Sequence, residues 1–136
     1  MTGVAVLTEA ARARLDRVRP VDAFVELTRG ALLVDIRPIP QRVLEGEIPG
    51  TLILERNVLE WRLDPRGEAW IPNATNADLR VIVMCSEGYA SSLAAASLID
   101  MGLHRATDLE GGFRLWRALG LPTVPGGTAA GRFVTD

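Results

Sequence analysis

The apolar positions of this chain form two kinds of run. Residues 31–35, 52–54, 79–84 and 106–109 are short, apolar and rich in β-formers, with no polar face, which predicts strands buried on both sides. Between them lie stretches with helical spacing. Residues 8–17 read as an amphipathic helix capped by Thr8. Residues 20–29 form a second, opened by Pro20 and stopped at Gly30. A helical turn is predicted over 38–44. Another helix runs to Leu63 with Asn57 as cap and Glu60 at the capping-box position. Residues 93–101 are helical and closed by Gly102, and residues 112–119 are stopped by Gly120 and Pro122. Residues 64–78 hold Pro65, Gly67 and Pro72 and predict irregular structure.

Strands alternating with helices predict an α/β fold, a central and mainly parallel sheet flanked by helices in three layers. The 136 residues suffice for one core. They divide into an N-terminal helical extension (1–19), the main domain (20–123) and a C-terminal tail (124–136) expected to be loosely held. In such folds the site lies outside the carboxyl ends of the strands. The loops there carry Asp35 and Arg37, Glu55 and Arg56, the residues after Met84, and Glu110 with Gly111 and Gly112.

Composition removes several classes of function. A net charge of −2 gives no electrostatic case for binding nucleic acid, and no apolar run approaches a membrane span. The first ten residues lack the basic start and apolar centre of a signal peptide. One cysteine excludes an internal disulfide and fits a reducing cytoplasm. All 15 basic residues are arginine, so Schiff-base chemistry on lysine is excluded. One cysteine and one histidine would need two carboxylates to complete a zinc site, a weak and uncommon set.

That cysteine, Cys85, sits between a strand end and a helix start. Backbone N–H groups converge there and the helix dipole favours negative charge, so a thiolate is stabilised. A lone cysteine is otherwise often an inert core residue. The loop Ser86, Glu87, Gly88, Tyr89, Ala90 and Ser91 argues for reactivity. Gly88 permits the positive φ that a turn of inward N–H groups requires, and Ser91 or Ser92 can cap the helix. His104 follows the helix about 15 Å along the chain, at ~1.5 Å per residue, and is expected at the surface rather than beside the thiol. Trp61, Trp70 and Trp116 read as core anchors, and Tyr89 as a packing residue or a rim contact.

Four motifs in order resemble the rhodanese-like (sulfurtransferase) family, over about residues 21–123. Val34 to Arg37 is similar to its aspartate-x-arginine segment, and Gly46 to Thr51 to its glycine-histidine-isoleucine-proline-glycine-alanine turn. Cys85 to Ser91 is similar to its cysteine-x-x-glycine-x-arginine-serine loop. Glu110 to Phe113 with Trp116, then Gly120 to Pro122, resembles its C-terminal signature. The resemblance implies a single-domain sulfurtransferase. Its cysteine takes a sulfane sulfur from a donor as a persulfide and passes it to a thiophilic acceptor, without metal or cofactor. The partners implied are a small sulfur donor or a protein persulfide, together with that acceptor.

Three positions depart from the family pattern. Ala90 stands where the loop arginine is expected, Glu47 replaces the turn histidine, and Pro38 follows Arg37 where an acidic residue is common. Losing the loop arginine weakens the hold on an anionic donor such as thiosulfate, so activity with it is expected to be weak. Arg37 and Arg56 are candidate anion contacts from neighbouring loops, with surface ion pairing as the alternative for each. A non-catalytic, partner-binding module is the other reading of the whole chain. Phosphatases of the same fold fit poorly, because no arginine occurs between Ser86 and Met101 to grip an oxyanion.

Overall fold

Four short strands pair in parallel in the order β2-β1-β3-β4: β1 (Leu32–Asp35), β2 (Leu52–Ile53), β3 (Val81–Met84) and β4 (Thr107–Asp108). The computed structural model describes residues 2–69 and 71–136. Register aligns Val34 with Leu52 on one side and with Val83 on the other. All four strands are buried along their length, although β1 ends in Asp35 and β4 consists of Thr107 and Asp108.

Successive strand residues point to opposite faces and so build two cores. On one face Leu32, Val34, Leu52, Val81 and Val83 pack with Leu59 and Leu63 of α4 (Leu59–Leu63) and with Ala94, Ala95 and Leu98 of α5 (Ala90–Asp100). On the other face Leu33, Ile82 and Met84 pack with Ala23 of α2 (Pro20–Thr28) and with Phe113 and Trp116 of α6 (Gly112–Ala118). Ala94 and Ala95, small side chains on the sheet-facing side of α5, let that helix pack on the sheet. The expected three layers are present. Two further helices complete the fold: α1 (Val4–Arg12), which packs on α5, and α3 (Ile39–Glu45).

Several local expectations need correction. Thr8 is not a cap but lies inside α1, its hydroxyl donating to the Val4 carbonyl at 2.8 Å; the helix starts after Gly3. Asn57 falls in a 3-10 turn (Arg56–Val58) and caps nothing. Glu60 binds Arg56 and Ser97 instead of closing a capping box. The α5 helix begins at Ala90, three residues early, so Ser91 and Ser92 are in its first turn rather than at its cap. Trp116 is fully buried and donates its indole N–H to the Pro122 carbonyl, but Trp61 is 64% exposed and anchors no core. Trp70 lies outside the described residues.

The tail expected to be loose is docked. Val124 exchanges two backbone hydrogen bonds with Glu47, and residues 131–134 pair antiparallel with the free edge of β2 around Leu52. Val134 is buried. Glu47 explains much of this. Its buried carboxylate is held by Arg42 and accepts from the Thr128 hydroxyl and the Gly127 and Thr128 N–H groups. A buried carboxylate needs such partners, and only the tail supplies enough of them.

Candidate active site around Cys85

β3 ends at Met84, and the chain turns sharply so that the Cys85 sulfur faces its own loop. The Gly88 N–H approaches Sγ at 3.2 Å and the Ser91 N–H at 3.4 Å, while the Ser91 hydroxyl oxygen lies 3.3 Å away. Gly88 has φ +86°, and a Cβ there would stand 2.9 Å from the Gly111 backbone nitrogen. The loop therefore closes only with glycine at this position. The loop's base is fixed from α6, whose first-turn N–H groups donate to the Cys85 carbonyl at 2.8 Å and the Ser86 carbonyl at 3.0 Å.

The sulfur is 8% exposed as a residue and opens into a pocket of about 360 Å³. Ile36, Pro38, Gln41, Arg56, Tyr89 and Ala90 line its walls. Ser86 is buried at its floor, donating to Glu45 at 2.7 Å and accepting from Gln41 at 2.9 Å. Burial pushes the Glu45 carboxyl up, but hydrogen bonds from Arg114, Ser86 and Arg37 outweigh this and hold it below the ordinary range. Tyr89 is 61% exposed on the rim. Glu87 also lines the pocket, and its carboxylate lies 3.4 Å from Arg114, with both side chains more than half exposed.

Arg37 and Arg56 differ in their availability. Arg37 is buried and committed. It is paired to both oxygens of Asp35 and to Glu45, donates to the Gly46 carbonyl, and lies over the Phe113 ring at 4.2 Å. Burial without these partners would be prohibitive, so they fix the guanidinium in the wall rather than offer it to an anion. Arg56 is on the exposed rim, with one nitrogen donating to both oxygens of Glu60 at 2.9 and 3.0 Å. Asp35, Glu110, Gly111 and Gly112 do not line the pocket; Asp35 holds Arg37, Gly111 and Gly112 pack against the backbone of the Cys85 loop, and Glu110 is exposed. His104 sits at the surface, 3.0 Å from Asp78.

The strand-end rule missed a second layer of the site. Asp108, buried in β4, accepts from the hydroxyls of Ser91 and Ser92 at 2.8 Å each and is paired with Arg17 at 2.9 Å. Arg12 and Arg17 both donate to the Gly88 carbonyl, at 2.7 and 2.9 Å. A carboxylate in an apolar strand was a usable signal, since it demands partners. The arginines gave none, because they precede every strand. Among the described residues no group of acidic, histidine or cysteine side chains could hold a metal ion, and no helix is long and apolar enough to cross a membrane.

A family model described as "Rhodanese-like domain" matches residues 20–119. The chain belongs to the rhodanese-like family. The thiosulfate sulfurtransferase GlpE of Pseudomonas entomophila is 35% identical over 115 residues, covering 85% of this chain and 93% of that protein. Its counterpart in Ectopseudomonas mendocina is 36% identical, with the same coverage. Among solved structures, a protein of unknown function from Rhodopseudomonas palustris, titled a possible tyrosine phosphatase, superimposes with TM-score 0.81 at 30% identity, over 90% of this chain and 95% of that one. The polysulfide-sulfur transferase homodimer of Wolinella succinogenes shares the rhodanese-like fold, with TM-score 0.68 at 24% identity over 88% and 85% of the two chains. The reading as a rhodanese-type sulfurtransferase agrees with the family and with the names of the two thiosulfate sulfurtransferases.

Proposed function

We propose that this protein moves a sulfane sulfur from a donor to a thiophilic acceptor through a persulfide on Cys85. The observation that carries this reading is the pair of loop N–H groups aimed at a sulfur that opens into a pocket. Such a nest stabilises negative charge on the thiolate, and then on the outer sulfur of the persulfide. With thiosulfate, the Cys85 thiolate attacks the outer sulfur. The S–S bond to sulfite breaks, sulfite leaves with its electron pair, and Cys85 holds an S–S⁻ group. An acceptor such as cyanide then takes that sulfur as thiocyanate and regenerates the thiolate.

The pocket offers little grip for a dianion. Arg37 is consumed in the wall, Arg56 is bound to Glu60, and Ala90 supplies no charge. A small-thiol persulfide or a protein persulfide suits it better as donor, in a reducing cytoplasm where a lone thiol survives. Phosphatase chemistry finds no support in the loop, which contains no arginine between Ser86 and Met101. The test is intact mass after incubation with thiosulfate, a glutathione persulfide and a polysulfide. A gain of about 32 Da that is lost on adding cyanide, and absent in Cys85→Ser, is expected. No gain with any donor would favour a non-catalytic, partner-binding module.

A further inference from the structure

The peptide joining Gly88 to Tyr89 is clamped from outside the domain that the family model covers. Arg12 closes α1 and Arg17 follows it, both before residue 20, and both guanidiniums converge on the Gly88 carbonyl oxygen. Arg12 also donates from Nε to the Ser92 hydroxyl at 3.1 Å and lies 5.1 Å from the centre of the Tyr89 ring. Arg17 is neutralised by Asp108. Arg12 forms no ion pair among the described residues, so its positive charge acts on the loop uncompensated.

In a planar trans peptide the C=O and N–H point in opposite directions. Holding the Gly88 carbonyl out toward the two arginines therefore turns the Tyr89 N–H to the other side. Tyr89 lines the pocket. The same clamp reaches the sulfur by a second route, because Ser92 and Ser91 share the Asp108 carboxylate and Ser91 touches Sγ.

We propose that the N-terminal segment is a working part of the sulfur-transfer site, with Arg12 as a positioning residue that sets the loop's peptide orientation and supplies the positive charge Ala90 lacks. Arg12 touches neither the sulfur nor the pocket; it acts through Gly88 and Ser92. This inference rests on the proposed persulfide chemistry, but the test separates the two. Arg12→Ala, Arg12→Gln and Arg12→Lys are made in the full chain. Arg14→Ala serves as control, since among the described residues Arg14 binds only Asp100, at the surface. Three quantities are measured: the melting temperature, the rate of Cys85 alkylation by iodoacetamide, and the rate of sulfur uptake from a glutathione persulfide by intact mass.

With melting temperatures unchanged, Arg12→Ala and Arg12→Gln should slow both reactions about tenfold, the loss expected for one charge-assisted hydrogen bond. Arg12→Lys, which keeps the charge, should recover most of the rate, and Arg14→Ala should match wild type. Wild-type rates in Arg12→Ala or Arg12→Gln would overturn the proposal, as would equal slowing in Arg14→Ala. If Arg12→Ala alone melts early, the Gln and Lys variants decide. If wild type alkylates normally but takes up no sulfur, the persulfide reading fails, and the alkylation series still decides the role of Arg12.

Discussion

Restoring the missing loop arginine, Ala90→Arg, is the most direct probe of substrate choice. Ala90 is exposed, opens α5 and lines the Cys85 pocket, so a longer side chain there enters the pocket or solvent without displacing the core. In the wild type neither arginine lining the pocket is free of a carboxylate. A new guanidinium would thus be the first uncommitted cation facing a bound donor. A charge-assisted hydrogen bond contributes roughly 1.5–3 kcal/mol when well formed. The rim is open to water and Glu87 belongs to the same loop, so screening reduces this to about 1–2 kcal/mol. At about 1.4 kcal/mol per decade, kcat/KM for thiosulfate should rise roughly five- to thirtyfold. A contact equally strong with the bound donor and in the transition state would appear mainly as a lower KM. Steady-state thiosulfate:cyanide assays of wild type, Ala90→Arg and the double variant with Cys85→Ser separate the effects, and the double variant should be inactive. Efficient turnover of thiosulfate by wild type, unchanged by Ala90→Arg, would refute the reasoning and return Arg56 as the anion contact.

Three other outcomes follow from the geometry. Gly112→Ala places a Cβ 2.5 Å from the Cys85 carbonyl oxygen at φ +62°, so it should destabilise the fold by about 3 kcal/mol in urea titration and depress sulfur uptake. Glu47 is raised by burial, but bonds from Thr128, Arg42 and the Gly127 and Thr128 N–H groups outweigh this and leave it below its ordinary value. Its stabilisation is therefore present above the unfolded-state value of about 4.3 and is lost as pH falls through the lower folded-state value. The urea-midpoint advantage of wild type over Glu47→Gln should shrink between about pH 6 and about pH 3; a constant difference would exclude that linkage. Glu87→Gln should change the rate of Cys85 alkylation by less than about twofold, because the carboxylate is more than half exposed and paired with Arg114, so its charge is screened.

Much of the fold was legible in the chain because its signals are local. Unbroken apolar runs at 32–34 and 81–84 have no solvent face, so they had to be central strands, and strands separated by helices had to pair in parallel. Cys85 and its glycine loop were visible for the same reason: a strand end, a turn and a helix start are contiguous in sequence. Helix starts were read less well. Ser91 and Ser92 resemble caps by type, but the carboxylate they bind comes from β4, seventeen and sixteen residues away.

What only the tertiary structure decided is how charged side chains are spent. Local pattern marks Arg37 and Arg56 as equal candidates. Packing buries one against Asp35, Glu45 and Phe113 and leaves the other on the rim. Arg12 and Arg17 carry no sign in sequence that they meet Gly88, more than seventy residues on. A tail rich in glycine looked loose because its partners, Glu47 and the edge of β2, lie far away in sequence. Hydrophobic periodicity fixes which face of an element is buried, since that depends on nearest neighbours along the chain. The partner of a long, flexible charged group depends on which elements the fold brings within its reach, and nothing local to the residue encodes that.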